Sequence, residues 1–297
     1  MVENNIRFSF VDGIHALMAA ESCYHNSVGE AEKSSFGAAQ SALNAMSEGD
    51  GEPGDSVVDL GCGSGVLGLM CLRAGAGHVT FIDSTDMIEI ARETMRRAGV
   101  GDRATFVAGW SHHVTLPGPA DDVICDNVGY FGMDYGILDA FADARTRFLR
   151  PGGQLLPRGL RLFLTPVTGR KAARPRAEWR SRTVPRDFRW IGELAVNQRY
   201  GEDLPASAPL APGVEVARLA LGEPAPKFLK LSGAVRIERA GKIDGLAGWF
   251  AADLAEGVEM TNAPDAPDRI PRPVSLFPLA EPLAVQPGDR IGCTVLS

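Results

Sequence analysis

Apolar and polar residues follow two alternating patterns through the middle of the chain, and these predict strands and helices in turn. Residues 57–60 form a short apolar run typical of a buried strand, and the apolar face of residues 66–72 predicts a helix behind it. Further strands are predicted at 77–83, 104–108, 121–126 and around 150–157, and further helices at 86–97 and 137–149. Because alternating strands and helices are typical of a parallel sheet covered on both faces, we predict a Rossmann-like, doubly wound α/β domain.

The pattern changes on both sides of this region. Apolar residues recur at helical spacing within residues 1–50, which predicts an N-terminal helical lid. After about residue 158 helical periodicity disappears, and short apolar runs separated by Pro and Gly predict an antiparallel, barrel-like β domain. We therefore expect three parts: the lid (1–50), the α/β domain (51–157) and a β-rich substrate and dimerisation domain (158–297).

Three glycines follow the first predicted strand, at Gly61, Gly63 and Gly65. Bare backbone at a helix N-terminus can bring N–H groups close to a ligand. The turn lacks the Lys-Ser/Thr of a phosphate-binding P-loop, and Val66 departs from the dinucleotide pattern G-x-G-x-x-G. Asp83 ends the second strand, where a carboxylate usually holds a ribose diol. The combination indicates a nucleoside with a small polar tail, S-adenosylmethionine; an NAD-type fold with a degenerate fingerprint is the alternative.

Composition and charge narrow the class of protein. The chain is 45% hydrophobic and 23% charged with a net charge of −7, which argues against general nucleic-acid binding. Its five cysteines form no C-x-x-C and no metal-like cluster, so we expect reduced thiols and a cytoplasmic protein. We expect no signal peptide, no membrane-spanning segment and no metal site; His112 and His113 are interpreted as a solvated turn. The arginine-rich residues 170–189 are interpreted as a solvated loop.

Polar residues and glycines follow the fourth predicted strand, where ligands meet the chemistry in open α/β sheets. Here Asp126 is expected to accept an N–H or remove a proton, and Asn127, Tyr130 and Asp134 to position a methyl acceptor. Asp126 is also predicted to contact the cofactor. We further expect the nucleoside to lie beside Ser84, which follows Asp83, and beside Ser111 and His112.

The chain resembles the protein arginine methyltransferase family across nearly its full length. The resemblance is carried by residues 57–67, Arg73-Ala74-Gly75-Ala76, Gly129-Tyr130, residues 148–157, Gly13-Ile14-His15 and residues 287–291. It implies a class I S-adenosylmethionine-dependent methyltransferase with a Rossmann-like domain, a β-barrel-like domain and usually a dimer. It also implies cofactor contacts for His15, Asp59, Cys62 and Tyr24, the last in place of a family arginine, and a catalytic acid at Glu21.

The acceptor loop departs from the family pattern. The family clamps a guanidinium between two glutamates, whereas Asp126 stands at the first position and Tyr135 at the second, with Asp134 one residue early. Ile270-Pro271-Arg272 stands where the family has Thr-His-Trp. Because a guanidinium needs bidentate carboxylate geometry, we hypothesise N-methylation of an amine of a small molecule or peptide, as in natural-product tailoring. A protein arginine methyltransferase, an O-methyltransferase and a non-catalytic cofactor-binding protein are the alternatives.

Overall fold

The computed structural model describes residues 54–224, 228–255, 258–267, 269–270 and 272–296. The predicted lid, with His15, Glu21 and Tyr24, lies outside these residues. Within them, no helix is both long enough and apolar enough to span a membrane.

Five parallel strands form the first sheet. They are β1 (Ser56–Leu60), β2 (His78–Asp83), β3 (Ala104–Ala108), β4 (Ala120–Ile124) and β5 (Leu149–Leu156), joined by helices α1 (Val66–Arg73), α2 (Met87–Arg97) and α3 (Ile137–Arg147). Their order across the sheet is β3-β2-β1-β4-β5, which confirms the predicted doubly wound sheet. The chain reverses its direction of winding between β1 and β4, so their carboxyl ends frame the crevice where such folds bind ligands.

Burial along α2 follows the predicted helical period. Ile88, Ala91 and Met95 are buried against the sheet, while the charged residues between them face solvent. The predicted end of α3 is two residues too late, because the Phe148 carbonyl accepts a hydrogen bond from the Ala120 amide and turns the chain into β5.

The C-terminal strands confirm the predicted antiparallel character of the second half. The larger sheet contains β6 (Gly159–Val167), β7 (Tyr200–Glu202), β8 (Val214–Ala220), β10 (Gly241–Ala255), β11 (Val258–Thr261) and β12 (Val274–Val285); the smaller pairs β9 (Lys230–Arg236) with β13 (Arg290–Leu296). The larger sheet runs β7-β12-β10-β6-β8, with β11 on β10. This sheet has two edge strands, β7 and β8. Hydrogen bonds among the described strands therefore do not join the two sheets into a closed barrel.

The basic segment 170–189 is mainly helical, so its interpretation as a loop is wrong. Helix α4 (Arg170–Trp179) is followed by a 3-10 turn (Arg186–Phe188) and by α5 (Ile191–Ala195). Helix α4 buries Ala172 and Pro175, and its arginines pair with acids of the β domain, as Arg176 Nη2 does with Asp244 Oδ1 at 3.1 Å. Because those acids are distant in sequence, local charge pattern could not reveal the pairing.

One contact region fixes the loop after β4 to the β domain. Asn262 is fully buried, and its Nδ2 donates to the carbonyl oxygens of Tyr130 and Pro273, both at 2.8 Å. Its Oδ1 accepts the Phe250 amide of β10 at 3.1 Å. The ring of Phe131 packs edge-on against Phe277 with centroids 5.4 Å apart. The two halves therefore share one core, and this core holds the loop in place.

Candidate active site

The glycine turn after β1 is held against the end of β2. Gly61, Gly63 and Gly65 have φ of 73°, 51° and 82°, a region that side chains disfavour. The amides of Gly61 and Cys62 both donate to the Ile82 carbonyl, at 2.8 and 3.1 Å. The sequence forms this turn because only glycine adopts these angles without strain, and the turn therefore presents bare backbone to the crevice.

Asp83 joins this turn to the loop after β2. Its Oδ2 accepts the Gly63 amide at 2.8 Å, and its Oδ1 accepts the amide and hydroxyl of Thr85 at 2.8 and 2.7 Å. A carboxylate has about four acceptor positions, so these three donors leave it able to accept from a ligand. Asp83 therefore stabilises the turn and keeps acceptor capacity at the wall of the crevice.

Three predicted cofactor residues lie behind the turn rather than along the cavity. The buried Asp59 accepts the Gly68 amide on its Oδ2 at 2.9 Å, which satisfies one free N–H in the first turn of α1. At Gly65, a Cβ would lie 3.0 Å from the Ala91 Cβ, so the glycine lets the turn pack on α2. Cys62 is buried. These residues shape the turn from behind.

A cavity of about 640 Å³ opens at the carboxyl ends of the strands. It brings together Gly61, Gly63, Asp83, Ser84, Ser111, His112, Asp126, Asn127 and Tyr130, all predicted from the sequence. A Cβ at Gly61 would lie 2.3 Å from the Asn127 Nδ2, so the glycine also admits the Asn127 amide. A volume of this size suits a nucleoside ligand. A bare backbone cradle beside a carboxylate with spare capacity fits the amino-acid tail and ribose of S-adenosylmethionine.

Sequence reasoning missed several residues of the cavity wall. Thr85, Trp110 and Asp139 line it, and so do Tyr135 and Arg272, which the sequence marked only as departures from a family pattern. Thr85 could have been found from the Asp-Ser-Thr sequence, since a hydroxyl two residues after a carboxylate often bonds back to it. The position of Arg272 depends on tertiary contacts that no local pattern carries.

Arg272 and Asp126 meet on the acceptor side of the cavity, and both are buried. The Arg272 Nη2 lies 3.7 Å from the Asp126 Oδ2, and its Nη1 makes long hydrogen bonds to the carbonyl oxygens of Asp126 (3.5 Å) and Gly129 (3.3 Å). Within the part of the chain that the structure describes, the Asp126 Oδ2 has no hydrogen-bond partner. The carboxylate is thus balanced in charge but still open to a donor.

Asp134 does not line the cavity, although the sequence placed it beside the acceptor. Its Oδ2 accepts the amides of Tyr130 and Phe131 and lies 2.6 Å from the Arg199 Nη1. With these three partners the carboxylate folds the loop after β4 and fixes it to Arg199. Asp134 therefore shapes the wall that Tyr130 presents.

Two tyrosines close the same wall. The rings of Tyr130 and Tyr135 meet edge-on with centroids 6.2 Å apart. Partial desolvation, followed by a hydrogen bond with Tyr130, raises the pKa of Tyr135 above its ordinary value. A phenol is already neutral at physiological pH, and the raised pKa favours the same state, so this position carries no negative charge.

Comparison with known proteins agrees with this geometry. Residues 57–153 match a family model described as a methyltransferase domain. The chain is 37% identical over 116 residues to the ribosomal protein arginine N-methyltransferase rmt3 of Schizosaccharomyces pombe, covering 39% of this chain and 21% of that protein. It is 37% identical over 112 residues to the protein arginine N-methyltransferase 1.1 of Arabidopsis thaliana, covering 37% of this chain and 29% of that protein. These matches span less than a third of either relative.

Solved structures extend the likeness of fold beyond this region. The Trypanosoma brucei PRMT1 enzyme–prozyme heterotetrameric complex with AdoHcy matches with a TM-score of 0.74 at 18% identity, over 96% of this chain and 84% of that one. Arabidopsis thaliana protein arginine methyltransferase 10 matches with a TM-score of 0.74 at 19% identity, over 96% and 84%. Residues 57–153 therefore form a methyltransferase domain, and the chain is similar to protein arginine methyltransferases in sequence within this region and in fold over most of its length.

Proposed function

We propose that the protein transfers a methyl group from S-adenosylmethionine to a nitrogen atom of an acceptor. The observation that carries this proposal is the meeting, in one cavity, of the bare glycine turn, Asp83 and the open carboxylate of Asp126. When bound, the cofactor supplies an electrophilic methyl group. The chain then has to hold the two ligands in line, exclude water and accept the acceptor's proton.

One side of the cavity binds the cofactor in this proposal, and the other side binds the acceptor. Gly61, Gly63 and Asp83 hold the nucleoside, with the bare backbone of the turn against its polar tail and a carboxylate toward its sugar. Asp126 accepts an N–H of the acceptor on its Oδ2 and takes up or passes on the proton. Asn127 and Tyr130 bound the space that the acceptor enters.

Two acceptor classes have support. The names of the relatives support the guanidinium of a protein-bound arginine. The acceptor wall supports an amine of a small molecule or peptide, because Tyr135 is neutral, Asp134 is held by Arg199 and Asp126 already faces Arg272. The geometry of this chain favours the second class.

Incubation with isotope-labelled cofactor tests the proposal. An arginine-rich peptide and a panel of amines and peptides with free N-termini are the substrates, and mass spectrometry locates the label. We expect Asp126→Asn to keep binding of S-adenosylhomocysteine and to slow transfer by about a hundredfold or more. Asp102→Asn, an exposed acid outside the cavity, is the matched control and should leave transfer unchanged.

The location of the label separates the alternatives. Label on oxygen would replace the proposal by an O-methyltransferase. Tight S-adenosylhomocysteine binding without transfer to any substrate of the panel would favour a cofactor-binding protein without catalysis. A transfer rate that is the same in Asp126→Asn would remove Asp126 from the mechanism.

We also propose that the protein forms a homodimer. The exposed apolar side chains of Phe188, Trp190 and Leu194 in and around α5 support this proposal, as does the heterotetrameric assembly of the Trypanosoma brucei structure. A cytoplasmic location stays a prediction from cysteine usage.

A further inference from the structure

The acceptor wall contains a guanidinium that belongs to the chain itself. Arg272 precedes β12 and is only 5% exposed, yet it lines the cavity beside Asp126. A buried arginine is costly unless its charge is balanced. The acid that balances it here is Asp126, with Nη2 and Oδ2 3.7 Å apart.

The contact between these two groups is incomplete. At 3.7 Å the Nη2 and Oδ2 atoms attract each other electrostatically but form no hydrogen bond. The Asp126 Oδ2 has no hydrogen-bond partner in the described residues, although it is buried. The wall therefore offers an open acceptor on Asp126 and, a short distance away, the charged donors of Arg272.

Among the described residues, the two buried charges of the acceptor wall already balance each other without a ligand, while Asp139, which also lines the cavity, is exposed to solvent. Asp126 contributes one negative charge and Arg272 one positive charge, while the Asp134 carboxylate is paired with Arg199. Tyr135 adds no charge, since a phenol is neutral at physiological pH and the pKa of this one is raised further. A cationic acceptor would leave one positive charge in excess and would meet Arg272 at close range, where like charges repel strongly in a low dielectric.

We propose that Arg272 takes the cation position of the acceptor site, so that the site selects an uncharged N–H group with a neighbouring carbonyl or carboxylate oxygen and disfavours a guanidinium. This specificity rests on the proposed methyltransferase function. The N–H donates to the Asp126 Oδ2, and the oxygen accepts from Arg272. An amine beside a carbonyl, as at a peptide N-terminus, has this arrangement once it is deprotonated.

A matched pair of peptides tests the proposal by binding alone. The probes are a short fluorescent glycine-rich peptide with one arginine and the same peptide with citrulline, whose side chain replaces one guanidinium nitrogen by a carbonyl oxygen and is neutral. Fluorescence anisotropy gives their dissociation constants for the full chain, with and without S-adenosylhomocysteine. We expect the citrulline peptide to bind at least about tenfold more tightly.

Variants assign the preference to Arg272. Arg272→Gln should reduce the preference to near unity or reverse it, whereas Arg272→Lys, which keeps the charge, should retain it. Arg269→Gln removes the same charge from an exposed neighbour outside the cavity wall and should leave the ratio unchanged. Arg272→Gln leaves the buried Asp126 without its counter-charge and could fail to fold. Asp126→Asn therefore provides a second test, and it should increase the ratio by which the citrulline peptide binds more tightly than the arginine peptide.

The results separate this proposal from the proposed function. Equal or tighter binding of the arginine peptide by the wild type, or an unchanged ratio in Arg272→Gln, would overturn the role of Arg272. Calorimetry with S-adenosylhomocysteine is an independent readout, and failure of that ligand to bind would overturn the cofactor assignment instead. Even if S-adenosylhomocysteine does not bind, the comparison of the two peptides remains a test of Arg272, because the Arg272–Asp126 pair exists without a cofactor.

Discussion

Asp122 of β4 is a buried acid that opposes folding at neutral pH. Burial, with the negative charges of Asp55 and Asp121 adding to it, raises the pKa of Asp122 from 3.8 to about 6. Since the folded state binds the proton more tightly, this group favours folding fully below pH 3.8, and that contribution is lost as the pH rises through about 6. Asp122→Asn should therefore stabilise the protein at pH 8 by about 1–2 kcal/mol.

Urea unfolding at several pH values checks this prediction. The difference between Asp122→Asn and the wild type should shrink steadily as the pH falls toward 4, where the natural side chain is also neutral. Asp102→Asn at an exposed position should show no such dependence. A stability difference that is constant with pH would mean that the charge of Asp122 is not the cause.

We expect cofactor binding to depend strongly on Asp83. Its two oxygens accept from donors on both sides, Gly63 and Thr85, so a side chain with one acceptor and one donor cannot replace it. Asp83→Asn should weaken S-adenosylhomocysteine binding by about tenfold or more in calorimetry. The exposed Asp86→Asn is the matched control. An unchanged dissociation constant in Asp83→Asn would place the nucleoside elsewhere.

Residues of the site differ in how far the sequence reveals them. Asp83 and the glycines could be predicted because strand, turn and helix are local patterns with a fixed relation to the ligand. The family resemblance implied a cofactor contact for Asp59; its Oδ2 accepts the Gly68 amide in the structure, and the contact with the cofactor stays a prediction. Arg272 could not be predicted, because more than a hundred residues separate it from Asp126.

The loop after β4 depends on the β domain for its position. Asn262 makes hydrogen bonds with Tyr130, Pro273 and Phe250, and it is fully buried. Asn262→Ala leaves these backbone groups without their partner in a dry environment, so it should cost about 2–4 kcal/mol in the free energy of unfolding. Urea denaturation measures this cost. The loop after β4, which carries Tyr130, should also be held less firmly against the β domain.

Asn197 offers a matched control for that variant. Its Nδ2 also donates to a backbone carbonyl, that of Glu193, but at an exposed helix end where water can replace it. Asn197→Ala should change stability by less than about 0.5 kcal/mol. Similar effects of the two substitutions would show that Asn262 does not hold the loop.

Elements with strong local periodicity were predicted well, and those that depend on distant partners were not. Helix α2 shows its buried face in the spacing of its apolar residues, and β6 and β8 are apolar runs between turn residues. Helix α4 is rich in arginine and contains Pro175, so its sequence is typical of a loop. Its arginines become part of the fold only where Glu202 and Asp244 face them. Such pairs exist only in the folded chain.

The proposed homodimer is based on a cluster of exposed apolar residues in and around α5. Phe188, Trp190 and Leu194 lie within seven positions and are 55%, 58% and 51% exposed. An exposed apolar cluster is typical of a protein–protein contact surface, and a surface on a single chain that meets its own copy forms a closed dimer. Light scattering after size exclusion should therefore find a dimer, and Trp190→Glu should shift it toward monomer by at least about tenfold in the dissociation constant.

A second exposed aromatic separates this cluster from general surface hydrophobicity. Phe228 is 87% exposed but lies apart from the cluster in sequence, so Phe228→Glu should leave the dimer intact. A wild-type protein that is monomeric at all accessible concentrations would overturn the proposed homodimer. A dimer that Trp190→Glu leaves unchanged would place the interface on another face, and the exposed residues around α5 would then need a different partner. If dissociation occurs as expected, methyl transfer measured on the Trp190→Glu monomer will show whether each cavity works without a second copy.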